Sequence, residues 1–381
     1  VSSVSVRSVL IVGGGAIGCA LARELAGRGV IVTVVERAEP GAEASSAAAG
    51  LIAPQAEGLP PGPLFDLAIA GRALYPAWSE ELERETGIDV GWRQTGILRC
   101  DRSGREDFSR YLRQRDAGLP VEEADASRIA ELTAGLACLE ATRGIFFPED
   151  GTVDARRLTR ALWLAALGRG ARFVNGAAAR RFVVAEGRCR AVETDRGTFE
   201  ADCVVDAAGA WAAFDPEAPV PISPVRGQIV RLRPAEPLLP CVVESEDVYL
   251  VPRPDGSLLV GSTQERVGFR KEVTGKGVRG LLDAALALVP SLADARFVGA
   301  WAGLRPASPD GWPILGASAI PGLLFATGHF RNGILLAPIT ATLLADAALG
   351  APARELAPFS AARFKPPEEN RRLRQAERVF G

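Results

Sequence analysis

The stretch VLIVGGGAIG (residues 9–18) decides the fold of this chain. Its first four residues form an apolar run with β-branched character, and the glycine pattern G-x-G-x-x-G follows directly. Over residues 16–28 the apolar positions recur at helical spacing, and a second apolar run at 30–35 ends at the acid Glu36. Strand, glycine turn, helix, strand and terminal acid in this order predict a dinucleotide-binding βαβ unit.

Each part of the unit has a physical task. Gly13 permits the tight turn, Gly15 lets the backbone approach a pyrophosphate, and Gly18 lets the helix pack against the strand. The helix N-terminus offers free N–H groups and a positive partial charge to the phosphates. Glu36 can accept hydrogen bonds from ribose hydroxyls and would repel a 2′-phosphate. These features fit NAD and FAD equally well.

The segment after the second strand adds evidence about the ligand. Residues 44–51 read ASSAAAGL, a run of small residues that can bring hydroxyls and backbone amides close to a flat ligand. The alternative is an ordinary helix N-terminus capped by Ser45 or Ser46. Because the run follows the second strand directly, it favours a cofactor that extends beyond its pyrophosphate, as FAD does.

Composition excludes several function classes. The 381 residues include 44 Lys and Arg, 46 Asp and Glu and one histidine, His329, with a formal net charge of −2. The chain therefore lacks the basic surface by which proteins bind nucleic acid or anionic membranes. One imidazole excludes a His-rich zinc site, and any Ser-His-Asp triad would depend on His329. We therefore expect the chemistry to rest on a bound organic cofactor.

Cysteine spacing and hydropathy predict the state of the thiols and the location of the protein in the cell. The six cysteines are scattered without a C-x-x-C pair, which predicts free buried thiols and no metal site; they are Cys19, Cys100, Cys138, Cys189, Cys203 and Cys241. The apolar stretch 333–349 is interrupted by Pro338 and Asp346, which favours a buried helix over a membrane span. Eight residues precede the first apolar run, too few for a signal peptide, so the expectation is a cytoplasmic protein.

The glycine turn, Glu36 and the run at 45–50 together with ATGHFRNGIL (residues 326–335) resemble the FAD-dependent D-amino-acid oxidase family. Within that family the chain is most similar to the glycine oxidase branch, which is linked to thiamine thiazole synthesis. The likeness runs from about residue 9 to about residue 362. The pairing of GLRP (303–306) with GHFRNG (328–333) is far more specific than the glycine turn, which many dinucleotide-binding folds share.

The resemblance implies non-covalent FAD, since no cysteine lies in a segment that matches a covalent attachment site. It implies flavin and backbone contacts for His329, and not a role as a base. The buried N-terminus of the helix at 333–349 would suit the negative charge of reduced flavin. The implied cofactor-binding residues are Gly13, Gly15, Ala16, Ile17, Gly18, Glu36, Arg37, Ala44, Ser45, Ser46, Ala49, Gly50, Leu51, Ala179, Gly209, His329, Phe330, Arg331, Asn332, Gly333, Ile334 and Leu335.

Three residues are the candidates for catalysis. Arg305 lies in an apolar context, and a buried arginine needs an anion, which is either the acid Asp310 or, as the resemblance implies, the substrate carboxylate. Tyr249 is either a core residue or, by resemblance, a second hydrogen-bond donor to that carboxylate. Arg331 would line the pocket or anchor the flavin loop. We also expect Asp247 near the pocket mouth, where its charge would favour a larger or more basic amine.

The activity that the resemblance implies is oxidative deamination of glycine, a small amino acid or a secondary amine such as sarcosine. Hydride passes to flavin N5, and the products are the oxo acid, ammonia and, with molecular oxygen as acceptor, hydrogen peroxide. No side-chain base is needed, because alignment and electrostatics do most of the work. The alternatives are a D-amino-acid or D-proline dehydrogenase that uses a quinone or another acceptor, and a non-catalytic FAD-binding subunit.

The predicted fold class is α/β, with a Rossmann-like FAD-binding domain interleaved with an antiparallel-sheet substrate domain. Helical spacing at 78–85 and 105–117 and a strand at 96–100 lie in the substrate domain. The charged tail is a helix candidate, either solvated or docked on the same or another subunit of a homo-oligomer. The predicted ranges are 1–76, 150–222 and 298–364 for the FAD domain, 77–149 and 223–297 for the substrate domain, and 365–381 for the tail.

Overall fold

The structure is a computed structural model that describes residues 6–101, 104, 106–134 and 143–364. Cys138 and the candidate tail helix lie outside these residues. The strands are β1 (Ser8–Val12), β2 (Ile31–Glu36), β3 (Leu51–Ile52), β4 (Ile97–Asp101), β5 (Glu122–Asp125), β6 (Arg143–Phe147), β7 (Gly151–Thr152), β8 (Arg172–Asn175), β9 (Ala179–Ala185), β10 (Arg188–Thr194), β11 (Gly197–Glu200), β12 (Cys203–Asp206), β13 (Ser223–Arg233), β14 (Val242–Glu244), β15 (Tyr249–Pro252), β16 (Leu258–Gly261), β17 (Arg296–Ala307), β18 (Ile314–Ala317) and β19 (Leu323–Thr327). The α-helices are α1 (Ala16–Gly27), α2 (Ala44–Ala47), α3 (Pro63–Thr86), α4 (Ser109–Asp116), α5 (Ala126–Leu132), α6 (Ala155–Gly168), α7 (Gly275–Leu288) and α8 (Gly333–Ala348).

The first sheet carries the predicted dinucleotide-binding unit. Its six strands follow the order β18-β19-β12-β1-β2-β8, and all neighbours are parallel except β18 and β19. Side chains alternate between its faces, as the two-residue strand period requires. Val9 and Ile11 pack into a core with helices α1, α3, α6 and α8, whereas Leu10 and Val12 pack beneath the antiparallel sheet β9-β10-β11. The predicted βαβ unit is therefore confirmed.

The second sheet has eight strands in the order β17-β13-β16-β15-β14-β4-β6-β5. Its neighbours are antiparallel except for β14 and β4, which run parallel. Helix α7 covers one face through an apolar core that includes Leu281 and Leu288. The other face packs a small-residue segment, Ala49 to Ala56, between the two domains. The mixed α/β architecture of two interleaved sheets is therefore confirmed.

Two of the predicted domain boundaries fall inside single elements. The boundary at 76/77 lies within α3, and Tyr75 and Leu82 on this helix are buried in the same core as α8. The helical prediction at 78–85 therefore covers only the last part of a longer helix. The boundary at 297/298 lies within β17, which pairs with β13 in the second sheet. Residues 77–86 thus pack with the first domain, and residues 298–307 extend the second sheet.

Candidate functional site

A cavity of about 400 Å³ lies between the two sheets. At one end it is lined by the glycine turn after β1 and by Glu36 at the end of β2. At the other end it is lined by Tyr249, on the first residue of β15, and by Arg305, near the end of β17. One continuous space therefore joins the predicted cofactor residues to the predicted substrate residues.

The glycine turn leaves no room for side chains. Gly13 has a φ of +104°, and a Cβ atom there would lie 2.6 Å from the Ala207 carbonyl oxygen. A Cβ atom on Gly18 would overlap the Gly13 carbonyl oxygen. Glu36 is buried, and its two carboxylate oxygens accept backbone hydrogen bonds from Gly14 at 2.7 Å and from Ala38 at 2.9 Å. Because each oxygen keeps a free lone pair, Glu36 can also accept from a ribose hydroxyl.

Ser45 and Ser46 have different surroundings. The Ser45 hydroxyl accepts a hydrogen bond from the backbone N–H of Ala16, the first residue of α1, at 2.9 Å. Ser45 thus caps the helix of the glycine turn, and not the short helix α2 on which it lies. Ser46 does not line the cavity, and its backbone N–H bonds to the Gly41 carbonyl at 3.3 Å.

All but three of the predicted cofactor residues line the cavity. Gly18, Ser46 and Leu335 do not, although Gly18 permits the close packing of α1 on the glycine turn. The residues that line it are Gly13, Gly15, Ala16, Ile17, Glu36, Arg37, Ala44, Ser45, Ala49, Gly50, Leu51, Ala179, Gly209, His329, Phe330, Arg331, Asn332, Gly333 and Ile334.

These surroundings fit FAD. The glycine cradle and Glu36 match a pyrophosphate and a ribose, and an alanine-rich wall at 44–53 leaves room for a flat ring system. The N-terminus of α8 opens onto the same cavity through Gly333 and Ile334, and the Asn332 side chain makes no capping hydrogen bond there. A helix N-terminus at this place stabilises negative charge.

The single histidine is a poor candidate for a base. His329 is 4% exposed, and its Nε2 atom lies 3.2 Å from the Thr340 hydroxyl. Burial lowers the pKa of His329 to about 3. The imidazole is therefore neutral and weakly basic, in agreement with the interpretation that it serves contacts in the flavin loop.

Arg305 is a half-buried cation without an acidic partner. Its guanidinium donates hydrogen bonds to the Ser262 hydroxyl at 2.7 Å and the Thr263 carbonyl at 3.1 Å. Within residues 6–101, 104, 106–134 and 143–364, no carboxylate forms an ion pair with it. The alternative prediction, that Asp310 pairs with Arg305, is wrong, because the Asp310 carboxylate pairs with Arg363 at 2.8 Å. Burial lowers the pKa of Arg305, and the neighbouring Tyr249 offsets part of this effect.

Two glycines make room for this pair of side chains. A Cβ atom on Gly227 would overlap the Arg305 guanidinium, and one on Gly261 would lie 2.5 Å from the Tyr249 ring. Both glycines lie on strands that neighbour the functional side chains, Gly227 on β13 and Gly261 on β16. The sheet therefore presents the guanidinium and the phenol side by side at the wall of the cavity.

The acid of the substrate end is Glu57, which the sequence analysis missed. Its carboxylate pairs with Arg331 at 3.0 Å, and both side chains line the cavity. Glu57 raises the pKa of Arg331. Asp247, which we expect near the pocket mouth, is exposed and does not line the cavity.

A buried ion pair fixes the turn that carries Glu57. Arg72 on α3 donates to the Asp150 carboxylate at 2.7 Å and to the Gln55 side-chain oxygen at 2.6 Å. The same Asp150 accepts from the backbone N–H of Ala56 at 2.9 Å. Charged groups this deeply buried must be paired. Because Arg72 and Asp150 are far apart in sequence, no local pattern could identify them as partners.

An aromatic contact at the cofactor end was also missed. The Arg37 guanidinium lies 3.5 Å from the centre of the Trp211 ring, and both side chains line the cavity. Trp211 follows Gly209, whose approach to the cofactor was predicted, so its position beside that glycine was the available signal.

Five cysteines are described, and all five are buried and free. Burial raises the pKa of Cys189 to about 11. Within the described part of the chain, no group of His, Cys, Asp and Glu is arranged to hold a metal ion. None of the helices that the structure describes has both the length and the apolar character of a membrane span.

Comparison with known families gives one match that covers most of the chain. Residues 8–347 match the family model DAO, described as FAD dependent oxidoreductase. The matched range includes the glycine turn, Tyr249, Arg305 and the loop before α8. The family match therefore spans both sheets and both ends of the cavity.

The individual relatives agree with this match. A bifunctional protein ThiO/ThiG of Nostoc sp. is 40% identical over 344 residues, which cover 89% of this chain and 52% of the relative. The chain thus spans about half the length of this relative. The glycine oxidase of Geobacillus kaustophilus is 38% identical over 364 residues, covering 93% of this chain and 96% of the relative. A crystal structure of glycine oxidase from that organism aligns with a TM-score of 0.89 at 36% identity, covering 94% and 99% of the two chains.

Proposed function

Because the chain belongs to the DAO family of FAD dependent oxidoreductases, we propose that it oxidises glycine or another small amino acid or secondary amine. Hydrolysis of the imine gives the oxo acid and either ammonia, from a primary amine, or the alkylamine, from a secondary amine. Molecular oxygen as the acceptor gives hydrogen peroxide. The relatives named glycine oxidase support the substrate class, since the chain covers nearly all of their length.

The observation that carries the proposal is the state of Arg305. Its guanidinium lines the same cavity as the cofactor cradle, and only neutral oxygens accept its hydrogen bonds. A half-buried cation of this kind attracts a carboxylate, which it can bind through two parallel N–H groups. The Tyr249 hydroxyl lies beside it and is placed to donate to the same carboxylate. An α-amino acid held in this way would have its α-carbon at a fixed position in the cavity.

The other side chains define the rest of the site. Bound FAD supplies the two-electron acceptor that takes the hydride from the α-carbon. Arg331 and Glu57 form an ion pair at the wall, so these two charges neutralise each other. The substrate amine releases its proton to solvent before oxidation, since His329 is buried and weakly basic. Alignment of the α-carbon by Arg305 and Tyr249 then accounts for the main contribution of the protein.

A substrate panel tests the proposal. The FAD-loaded protein is mixed without oxygen with glycine, sarcosine, D-alanine and D-proline, and loss of the yellow flavin absorbance is recorded. We expect bleaching by glycine or sarcosine and, in air, one hydrogen peroxide for each substrate oxidised. Bleaching with electrons passed to a dye but no peroxide would support a dehydrogenase instead. No bleaching by any amine would contradict the enzymatic assignment and favour a non-catalytic flavoprotein.

A further inference from the structure

Residues 265–274 connect the two domains on the outside of the cavity; we call this segment the strap. The strap leaves the second sheet after β16 and returns to it at α7, without regular secondary structure between them. Most of its residues are exposed. It nevertheless makes side-chain contacts with the FAD-binding domain, which an unconstrained surface loop would not need.

Both ends of the strap are fixed to β13. The Glu265 carboxylate accepts hydrogen bonds from Arg226 at 2.6 Å and from the Gln228 amide at 2.7 Å. At the other end, the Gln228 side-chain oxygen accepts from the backbone N–H of Thr274 at 2.8 Å, and Arg226 donates to the Glu272 carbonyl at 3.0 Å. Two buried side chains of one strand therefore hold both ends, which limits the positions that the tip can take.

At its tip the strap supports an aromatic side chain of the cavity wall. The Phe269 ring lies 5.4 Å from the Trp211 ring, with 35° between their planes. Phe269 is 54% exposed. The Trp211 ring also contacts the Arg37 guanidinium, which lies over it. Trp211 thus contacts both Phe269 on the strap and Arg37, the residue that follows β2.

An ion pair makes a second contact. The Lys271 ammonium lies 2.7 Å from the Glu43 carboxylate and donates to the Ala42 carbonyl at 3.4 Å. Glu43 pairs with Arg37 as well, through its other oxygen. Glu43, Arg37 and Trp211 line the cavity, whereas Phe269 and Lys271 do not. The strap therefore holds three wall residues from the outside.

We propose that the strap clamps the cofactor end of the cavity and sets the rate at which FAD leaves the protein. The wall that it holds adjoins Glu36 and Ala179, where the glycine cradle would place the adenosine half of FAD. Release of FAD requires Trp211 and Arg37 to separate from Phe269, or the strap to lift from Glu43. The proposal depends on FAD as the cofactor and not on which amine is oxidised.

The test measures FAD release from the holoenzyme. The protein is diluted, and flavin absorbance that passes an ultrafiltration membrane is recorded over time. We expect Phe269→Ala to release FAD about fivefold faster, from the typical energy of an aromatic pair. Lys271→Gln should release it about threefold faster, as for a surface ion pair. The double variant should exceed both, and added salt should speed release from the wild type but not from Lys271→Gln.

Matched variants separate the strap from general damage. Arg270→Gln removes a cation from the same tip. Within the described part of the chain the Arg270 guanidinium donates to the Val267 carbonyl and to no residue of the FAD-binding domain, so release should match the wild type. Phe269→Tyr keeps the ring and should retain FAD normally, and circular dichroism checks that every variant is folded. If the wild type and the folded double variant release FAD at the same rate, the proposed role of the strap is overturned and the cofactor assignment is not affected. A wild-type protein that holds no flavin would overturn the strap and the cofactor assignment together.

Discussion

Arg305 shows how a single residue depends on its neighbours for its function. No acid of the described residues pairs with its guanidinium, which occupies space that Gly227 on the adjacent strand leaves free. Its hydrogen-bond acceptors are neutral, so the charge remains available for a ligand. Substitution at this position should therefore change substrate binding more than the fold.

We predict that Arg305→Ala lowers kcat/KM for glycine about 100-fold or more, because charge-assisted hydrogen bonds to the carboxylate are lost. Arg305→Lys keeps the charge but loses the planar guanidinium fork, so its kcat/KM for glycine should lie between those of the wild type and Arg305→Ala. Steady-state peroxide release measures all three proteins, and flavin absorbance shows whether FAD is retained. A folded, FAD-loaded Arg305→Ala protein with near-normal glycine oxidation would contradict the assignment.

Glu57 should determine how the site treats substrates with two carboxylates. Its charge neutralises Arg331, and the pair lines the cavity near Arg305. We predict that Glu57→Gln frees Arg331 for a second anion and raises kcat/KM for a dicarboxylic amine relative to glycine by about tenfold. Asp247→Asn is the matched control, since that acid is exposed and outside the cavity. An equal ratio in Glu57→Gln and the wild type would argue against this role.

At the scale of elements, local sequence patterns were sufficient to predict those helices and strands whose own residues carry a clear periodicity or turn motif. The turn after β1, the helix α8 and the strand β4 were predicted from neighbours in sequence. Helix α3 was predicted only over 78–85, because Gly71 and Pro76 interrupt its pattern. The structure explains Gly71, where a Cβ atom would lie 2.9 Å from the Leu335 carbonyl oxygen of α8.

The residues of the candidate site also divide into those predicted by local motifs and those that only the tertiary fold brings together. Glycines, Glu36 and the loop before α8 follow from motifs within short segments. The Glu57–Arg331 pair joins residues 274 positions apart, and Lys271 and Glu43 are 228 apart. No periodicity links such residues, since their contact arises only when the two sheets pack together. Tertiary ion pairs were therefore the part of the site that the sequence could not specify.

The packing of α1 on the glycine turn permits an element-scale prediction. Gly18→Ala would place a methyl group against the Gly13 carbonyl oxygen and displace the helix. We expect the free energy of unfolding to fall by about 2 kcal/mol, and FAD content to fall with it. Thermal unfolding and flavin absorbance measure the two effects. Gly168→Ala, on α6 with no neighbour near its Cβ position, should be neutral or stabilising.

At the scale of the whole molecule, buried acids should make stability depend on pH, and Asp206 is one of them. Asp206 at the end of β12 is fully buried, and its Oδ2 atom has no hydrogen-bond partner among the residues that the structure describes. Burial raises the pKa of Asp206 to about 7. The native state therefore binds a proton that the unfolded state releases near pH 4, so stability falls as the pH rises from about 4 to about 7.

We predict that Asp206→Asn, which cannot ionise, unfolds at a higher temperature than the wild type at pH 8 and at a similar temperature at pH 4. Thermal unfolding across this range measures the difference. Asp202→Asn should have the opposite effect, because backbone hydrogen bonds from Arg7 and Ser8 lower the pKa of Asp202. Its carboxylate stabilises the native state above pH 4, and that stability is lost as the pH falls. Parallel pH profiles for Asp206→Asn and the wild type would contradict the prediction.

The interleaved order of the elements also determines when the site is completed during synthesis. β1 and the glycine turn leave the ribosome before the other elements of the site, but β19 pairs with β12 and α8 packs against α1 only after more than 300 further residues are made. Until then one wall of the cavity is missing, and the apolar face of α1 lacks the helix that covers it. The nascent chain therefore cannot hold its cofactor, and we expect FAD to join a protein whose synthesis has passed α8.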